Sequence, residues 1–312
     1  MSKSFPLGLL LRLSGAIIAL TVLFFIVDSE KLFRSIYQAD IAFLFSAFLI
    51  AFASPLLTSI RLKLFLKVTG TRIAYDRCLL ACLSGLSLNL FLPARGGDLV
   101  KLAYLRKDGK PSWERLAGAA ILERGFDIVA LGLIGSAVSF CLGLSNLSLA
   151  CGLVSIAASL GLLLLPKMES MPVIGKKATN FISIYKNASQ KKHYLLICFL
   201  SCCICWTANS MVMGFLLKAF DESLSMTHAF AATPPSILTG IIPVTLWGLG
   251  TRDGAIAYFL SGLTAPENAI SAGFLYTALV YWFLGLMGLP ALIIARRKTK
   301  PFIGNPARTD ER

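Results

Sequence analysis

Charged side chains are scarce in this chain: they make up 15% of its 312 residues, whereas apolar side chains make up 56%. A soluble globular protein carries about 25% charged residues. Because so little polar surface cannot cover a water-soluble sphere, the composition excludes a soluble globular protein. A mean hydropathy of +0.74 points the same way. The composition therefore predicts an integral membrane protein.

The chain also has few of the residue patterns on which enzymes usually rely. It contains two histidines, no Asp-x-Asp grouping that would hold a metal, and no glycine-rich turn that continues into the Lys-Ser/Thr of a phosphate-binding loop. No nucleophile–base constellation stands out in the sequence. We therefore expect no cofactor, no metal and no catalytic residue. The enzymatic alternative is a membrane-embedded transferase that uses Glu123 or Asp127 as its base.

The net charge of +14 does not indicate a nucleic-acid partner. The 30 Lys and Arg residues fall in short clusters between apolar runs, which is the pattern of the positive-inside rule. The eight cysteines lie within or beside the same runs and show no disulfide framework. The expected partner is therefore the membrane and its lipids.

Six apolar segments are long enough to cross the hydrocarbon core, which requires about 20 mainly apolar residues. These segments are about 7–27, 41–60, 116–142, 147–166, 194–217 and 270–295. Two further stretches, 78–93 and 229–247, are too short or too broken to cross, and each leads through a turn into a second short piece, 99–107 or 255–263. Because Pro and Gly interrupt helices, we predict two re-entrant helical hairpins. Two ordinary kinked helices are the alternative.

The basic residues set the orientation of this arrangement. With a cytoplasmic N-terminus, and with both hairpins returning to the side they left, 25 of the 30 basic residues lie on cytoplasmic segments. Those segments are 1–12, 61–77, 94–115, 167–192 and 296–312. The external loops carry six acids, Asp28, Glu30, Asp40, Asp221, Glu222 and Glu267. This asymmetry predicts a multi-pass protein with both termini in the cytoplasm.

The order of the predicted elements repeats along the chain. Residues 1–142 read as helix, helix, hairpin, helix, and residues 147–295 repeat that order. Three full crossings in each half turn the second half upside down relative to the first. Inverted repeats of this kind are a recurrent transporter architecture. We predict an all-α fold with one membrane domain, 1–295, and a basic cytoplasmic tail, 296–312.

Three ionisable residues, Glu123, Arg124 and Asp127, lie about two turns inside the third predicted span. Glu123 and Asp127 are four residues apart and therefore share a helical face. Ionisable groups cost about 2.5–3.5 kcal/mol each at a helix centre on insertion scales, so they usually face a polar cavity or a partner. Arg124 has the planar fork that suits a phosphate, or it pairs with a nearby acid. The alternative is an anchor that snorkels to the cytoplasmic surface.

Each hairpin turn carries an arginine and an aspartate beside glycines. Opposed half-helix ends and neighbouring arginines suit an anionic headgroup, and glycines let backbone N–H groups approach it. The alternative for Asp98 and Asp253 is that they cap the short return helices. The predicted substrate-binding residues are Asn89, Arg95, Gly97, Asp98, Glu123, Arg124, Asp127, Gly250, Arg252 and Asp253.

These residues resemble a known family, the flippase-like membrane domain related to the N-terminal part of lysylphosphatidylglycerol synthase/flippase. The resemblance covers nearly the whole chain up to its C-terminal tail. The motifs that carry it are Asn89-x-x-Leu92-Pro93-x-Arg95-x-Gly97-Asp98, Glu123-Arg124-x-x-Asp127 and Gly248-Leu249-Gly250-x-Arg252-Asp253. The family usually has Glu where this chain has Asp98 and Asp253, and it usually has Pro-Gly where Leu246-Trp247 stand here.

The resemblance implies transbilayer movement of a lipid in a bacterial inner membrane. We expect Arg95, Arg124 and Arg252 to bind an anionic or phosphate-bearing headgroup, and the nearby acids to balance charge or couple to protons. The synthase members carry a soluble aminoacyl-transferase domain for which this chain has no room, so we expect no aminoacylated lipid to be made here. A non-catalytic subunit of a partner membrane enzyme and a transporter of soluble substrates are the further alternatives.

Overall fold

The computed structural model describes residues 37–91, 96–106, 111–170, 176–221, 223–241 and 250–298. The predicted first span 7–27, Arg95 and most of the second hairpin turn lie outside the described residues, as does nearly all of the tail 296–312.

The described residues form helices and no strand. This agrees with the composition, because a backbone in lipid must pair its N–H and C=O groups within the structure. In chain order the helices are α1 Ile41–Val68, α2 Tyr75–Phe91, α3 Gly97–Leu105, α4 Trp113–Cys141, α5 Ser145–Leu164, α6 Lys176–Ser189, α7 Lys192–Phe220, α8 Met226–Ile241, α9 Thr251–Phe259, α10 Pro266–Thr277, α11 Leu284–Met287 and α12 Leu289–Lys298. A 3₁₀ turn, Leu165–Ser170, extends α5, and a π-helical turn, Ala278–Phe283, joins α10 to α11.

Four helical stretches among the described residues are long and apolar enough to cross a membrane. They are Ile41–Val68, Ser145–Lys167, Lys192–Phe220 and Pro266–Ile294, and each covers one of the predicted spans. The prediction of an all-helical membrane protein is therefore confirmed. Helix α4 covers the predicted span 116–142 with 29 residues but is not one of these four. Six full spans and two re-entrant hairpins stay a prediction.

Helix α1 begins where its sequence supplies a cap. Asp40 Oδ1 accepts hydrogen bonds from the N–H groups of Ala42, at 2.6 Å, and Phe43, at 3.4 Å, which satisfies donors that a helix N-terminus leaves free. The helix continues to Val68, past residue 60, where the predicted span ends. The predicted end of the helix near residue 60 is therefore wrong: the apolar run ends there, but the helix does not, and Arg61 is buried within it.

Helices α2 and α3 pack antiparallel as a hairpin. Asn89 Oδ1 accepts the N–H of Gly97 at 2.9 Å, and Gly85, one turn earlier in α2, lies against Lys101, one turn later in α3. A Cβ on Gly97 would lie 2.1 Å from the carbonyl oxygen of Gly85. The two backbones therefore approach as closely as they do because both positions are glycine.

Helices α8 and α9 form a second pair and also pack against each other. Pro234 and Pro235 belong to the predicted broken stretch 229–247, but both lie inside α8, which ends only at Ile241. The hydroxyls of Thr233 and Ser236 each donate, at 2.7 Å, to a backbone carbonyl one turn earlier. Hydroxyl bonds of this kind help a membrane helix to accommodate proline.

Helices α1 and α7 lie side by side and run in opposite directions. At one end the Asp40 N–H donates to the Ala219 carbonyl at 2.8 Å, and at the other end Lys191 Nζ donates to the Val68 carbonyl at 3.1 Å. This antiparallel pair forms one wall of the cavity described below.

Helix α2 packs against the last apolar run of the chain. Ser87 Oγ donates to the Gly285 carbonyl at 2.7 Å, and a Cβ on Gly288 would lie 2.2 Å from the Leu83 carbonyl oxygen. The π-helical turn Ala278–Phe283 lies just before this contact. Because a π-helical turn changes the register of the side chains that follow it, it determines which of them face the cavity.

Candidate functional site: an ionic cluster beside a buried cavity

Arg61 of α1 is buried against two carboxylates of α4. Its Nε and Nη2 donate to Glu123 Oε1 at 3.1 and 2.8 Å, and its Nη1 donates to Asp127 Oδ1 at 2.7 Å. Glu123 and Asp127 are one helical turn apart, so both reach the same guanidinium, as their spacing predicts. The planar fork of arginine suits this arrangement because it offers several donors in fixed directions.

Two further side chains join this buried group from other helices. Trp206 of α7 donates its indole N–H to Asp127 Oδ1 at 2.8 Å. Lys101 of α3 places Nζ 3.7 Å from Glu123 Oε2. Four helices, α1, α3, α4 and α7, therefore meet at the two carboxylates of α4.

Asp98 and Arg124 form the more exposed part of the same group. Arg124 Nη2 contacts Asp98 Oδ2, and Arg124 Nη1 lies 3.5 Å from Asp127 Oδ2. Lys101 Nζ lies 3.9 Å from Asp98 Oδ1. The side chains of Arg124 and Asp98 are 41% and 30% exposed, whereas that of Glu123 is 2% exposed. Arg124 and Asp98 are therefore the most exposed members of the group.

We call these six ionisable side chains the ionic cluster; its members are Arg61, Asp98, Lys101, Glu123, Arg124 and Asp127. Three are cations and three are carboxylates, so their charges balance. A buried ion costs several kcal/mol unless it is paired, which explains why each member contacts an opposite charge. Within the described parts of the chain, no group of three or more His, Cys, Asp or Glu residues is placed to hold a metal ion.

A cavity of about 160 Å³ opens beside the ionic cluster. Four members of the cluster line it, and these are Arg61, Asp98, Lys101 and Arg124. The cavity therefore presents three cations and one carboxylate. Its other polar lining residues include Asn89, Trp206, Asn209, Tyr276 and Tyr281. A space of this size and polarity accommodates several waters or one small polar group.

The second arginine–aspartate pair lies behind the cavity wall. Arg252 Nη2 and Nε donate to Asp253 Oδ1 at 2.6 and 3.1 Å, and Nη2 also contacts the hydroxyl of Thr277. The rings of Tyr276 and Tyr281, which line the cavity, lie 4.8 and 5.4 Å from the guanidinium carbon. Arg252 is 2% exposed, so in this structure its neighbours enclose it.

The two hairpin aspartates make different contacts. Asp253 Oδ2 accepts the N–H of Gly250, the residue before α9, at 3.1 Å, as the capping alternative predicts. Gly250 has a φ of +82°, in the left-handed region that favours glycine. Asp98 pairs with Lys101 of its own helix and with Arg124 of α4. The two aspartates therefore have different charged partners, since Asp253 pairs with the adjacent Arg252.

Asn89 lines the cavity, and it accepts the N–H of Gly97. From its place in the turn, Gly97 is predicted to present its N–H to a headgroup. In this structure that N–H is taken by Asn89, and the missing Cβ serves the close packing of α2 and α3. Arg95 lies outside the described residues, so its predicted role stays a prediction.

Sequence reasoning missed Arg61, Lys101 and Trp206 as site residues. A signal for the first was present: apolar residues continue at helical spacing through 62–68, which predicts that the helix extends past Arg61. Lys101 follows Asp98 by three residues and so shares its helical face. For Trp206 the sequence offers no signal, because only the packing of α7 against α4 brings its indole to a carboxylate.

Comparison with known proteins identifies the family. The family model described as the lysylphosphatidylglycerol synthase TM region matches residues 12–288. A UPF0104 membrane protein from Pyrococcus horikoshii is 23% identical over an alignment that covers 86% of this chain and 91% of that protein. The matched region contains the three motifs and all six members of the ionic cluster. The resemblance that the motifs indicated is thus confirmed, and the chain belongs to the lysylphosphatidylglycerol synthase transmembrane-region family.

Proposed function

We propose that this protein moves a lipid with an anionic or phosphate-bearing headgroup across the bacterial inner membrane, with both of its own termini in the cytoplasm. The observation that carries the proposal is the buried cavity into which Arg61, Lys101 and Arg124 project from three helices. A charge placed in hydrocarbon is costly, and a polar cavity with fixed cations lowers that cost for a phosphate. The acyl chains stay in the bilayer, so only the headgroup needs this path.

Arg124 is the first cation that a headgroup meets in this proposal. Its side chain is 41% exposed and lines the cavity beside Asp98. Its guanidinium fork binds two phosphate oxygens at once, which a lysine cannot do with the same geometry. Asn209 and Asn89 supply amide groups for the uncharged part of the headgroup.

Arg61, Glu123 and Asp127 act as the fixed support of the cavity. The two carboxylates hold Arg61 through three hydrogen bonds of 2.7 to 3.1 Å. Its positive charge therefore stays at the cavity wall whether or not a headgroup is bound. A preorganised cation of this kind attracts an anion without the cost of rearranging the site.

The packing of the helices supports two inverted halves, which are a recurrent architecture of transporters. Helices α1 and α7 occupy the same place in the two predicted halves and run antiparallel. The hairpin helix α2 packs against the last apolar run, and the corresponding helix α8 packs against α4. We propose that the cavity opens beside α2 and α3 and that the enclosed Arg252–Asp253 pair closes its other end.

The proposal predicts that Arg124→Gln slows headgroup movement at least about tenfold, because a hydrogen bond to a charged group contributes about 1.5–3 kcal/mol. Purified protein is placed in phosphatidylcholine liposomes with a trace of fluorescent phosphatidylglycerol, and the accessibility of the fluorophore to an external quencher is followed with time. Lys63→Gln is the matched control, since it removes a basic charge from an exposed position on α1.

Equal rates for wild type and Arg124→Gln would contradict the assignment of the headgroup to this cavity. Movement of no lipid by correctly folded wild type would contradict the proposed function itself. In that event the non-catalytic subunit hypothesis predicts that a membrane enzyme co-purifies with the chain. The transferase hypothesis predicts instead a requirement for a divalent metal or a nucleotide sugar.

A further inference from the structure

The charges of the ionic cluster are balanced before a headgroup binds. The three cations are already matched by three carboxylates. An anionic phosphodiester that binds in the cavity adds one negative charge that no described side chain balances. In a site of low dielectric constant such an excess charge strongly favours the uptake of a proton or another cation.

We propose that one proton accompanies each anionic headgroup and that Asp98 carries it; this inference rests on the proposed function. Arg124 contacts Asp98 in the empty cavity. When Arg124 turns to the phosphate, Asp98 loses its closest partner and faces a second anion. A proton taken from water onto the Asp98 carboxylate removes that repulsion. It leaves again when the headgroup departs and Arg124 returns.

The other two carboxylates of the ionic cluster are poorly suited to this role. Glu123 and Asp127 have side chains that are 2% and 3% exposed, and both are bound to Arg61. Protonation of either would leave the buried charge of Arg61 with weaker compensation. Asp98 is 30% exposed and lines the cavity, so it has a path to water that the other two lack.

The charged groups around Asp98 agree with a carboxylate that is ionised when the cavity is empty. Lys101 lies 3.9 Å from it on its own helix, and Arg124 contacts it from α4. Among the described residues, the remaining titratable and charged groups of the site are Arg61 of α1, Cys82 of α2, Glu123 and Asp127 of α4, Cys205 of α7, Tyr276 of α10 and Tyr281 of the π-helical turn. Of the two cations that contact Asp98, Lys101 is 7% exposed and Arg124 is 41% exposed, so a headgroup draws Arg124 away more readily.

Liposomes with a trapped pH-sensitive dye and fluorescent phosphatidylglycerol test this proposal, because lipid movement and proton movement are read in the same sample. We expect one proton to move per lipid, and the rate to change by up to about tenfold per pH unit, as a single proton requires. The phosphatidylcholine headgroup contains a positively charged choline that balances its phosphate, so any movement of that lipid should carry no proton. A sodium gradient should have no effect.

Asp98→Asn should move phosphatidylglycerol without proton uptake and with a flat dependence on pH. Asp98→Glu, which keeps a titratable carboxylate, should restore both. Asp221→Asn, which removes a carboxylate from a loop outside the cavity, should behave as wild type. If wild type moves lipid without protons or in response to a sodium gradient, the proton proposal is overturned but lipid transport is not. The same holds if folded Asp98→Asn still moves one proton per lipid. Absence of lipid movement at every pH overturns the proposed function instead.

Discussion

The buried position of Arg61 leads to a specific prediction about stability. Replacement by methionine keeps much of the side-chain length but removes the guanidinium, so Glu123 and Asp127 lose three hydrogen bonds of 2.7 to 3.1 Å. Removal of one partner from a buried ion pair costs about 3–5 kcal/mol, because the opposite charge remains buried and unpaired. We therefore expect Arg61→Met to lower the free energy of unfolding by about that amount.

Thermal unfolding of the purified protein in detergent measures this loss. At roughly 2 °C per kcal/mol, the value for large chains, Tm should fall by about 6–10 °C. Lys63→Met is the control, since Lys63 is exposed on the same helix two positions later, and it should change stability by less than about 0.5 kcal/mol. If unfolding is irreversible, the half-life at a fixed temperature replaces Tm.

A second variant separates the charge from the packing of the side chain. In Arg61→Met combined with Asp127→Asn, two cations and two carboxylates of the ionic cluster remain, so the excess negative charge is gone and much of the lost stability should return. Equal Tm values for wild type and Arg61→Met would refute the reasoning that the remaining cations, Lys101 and Arg124, do not compensate three carboxylates. A double variant that is less stable than Arg61→Met would refute the electrostatic explanation.

Two further predictions concern packing and pH. Gly97→Ala should lower the free energy of unfolding by about 1–3 kcal/mol or more, because its Cβ would lie 2.1 Å from a backbone carbonyl oxygen. Gly161→Ala is the control: no atom lies within 4 Å of the added Cβ, so Tm should be unchanged or raised. Hydrogen bonds from Ser223 and Thr264 lower the pKa of Asp221. The stability from these bonds is therefore present above about pH 4 and is lost as the pH falls through the lowered pKa. In Asp221→Asn, unfolding curves should no longer show this loss of stability at acid pH. A Gly97→Ala protein as stable as wild type, or the same acid-side loss in Asp221→Asn, would contradict these assignments.

The sequence predicts the helical membrane fold because hydropathy and turn residues act locally. It also predicts that Glu123 and Asp127 point the same way, since a spacing of four fixes a shared helical face. It does not reveal their partner. Arg61 stands where the apolar run ends, and positive charges at such a place normally mark a cytoplasmic loop. Only the tertiary packing of α1 against α4 shows that this arginine is inside.

The hairpin aspartates show a related limit of sequence reasoning. Asp98 and Asp253 follow similar glycine-containing turns, and the sequence left capping and headgroup binding open for both. In the structure Asp253 bonds the N–H of Gly250 and pairs with the adjacent Arg252, whereas Asp98 pairs with Arg124 of another helix. The difference arises from which helix lies opposite each turn, which is a property of the whole fold.

The most direct test of the account is the rate at which wild-type protein moves headgroups across a liposome membrane. Anionic, zwitterionic and polyprenyl-phosphate lipids are compared in parallel, with protein-free liposomes as the baseline. The account predicts that phosphate-bearing anionic lipids become accessible to the external quencher faster than zwitterionic ones, and that Arg124→Gln removes the difference. Equal accessibility of all three lipids at the protein-free rate would contradict it.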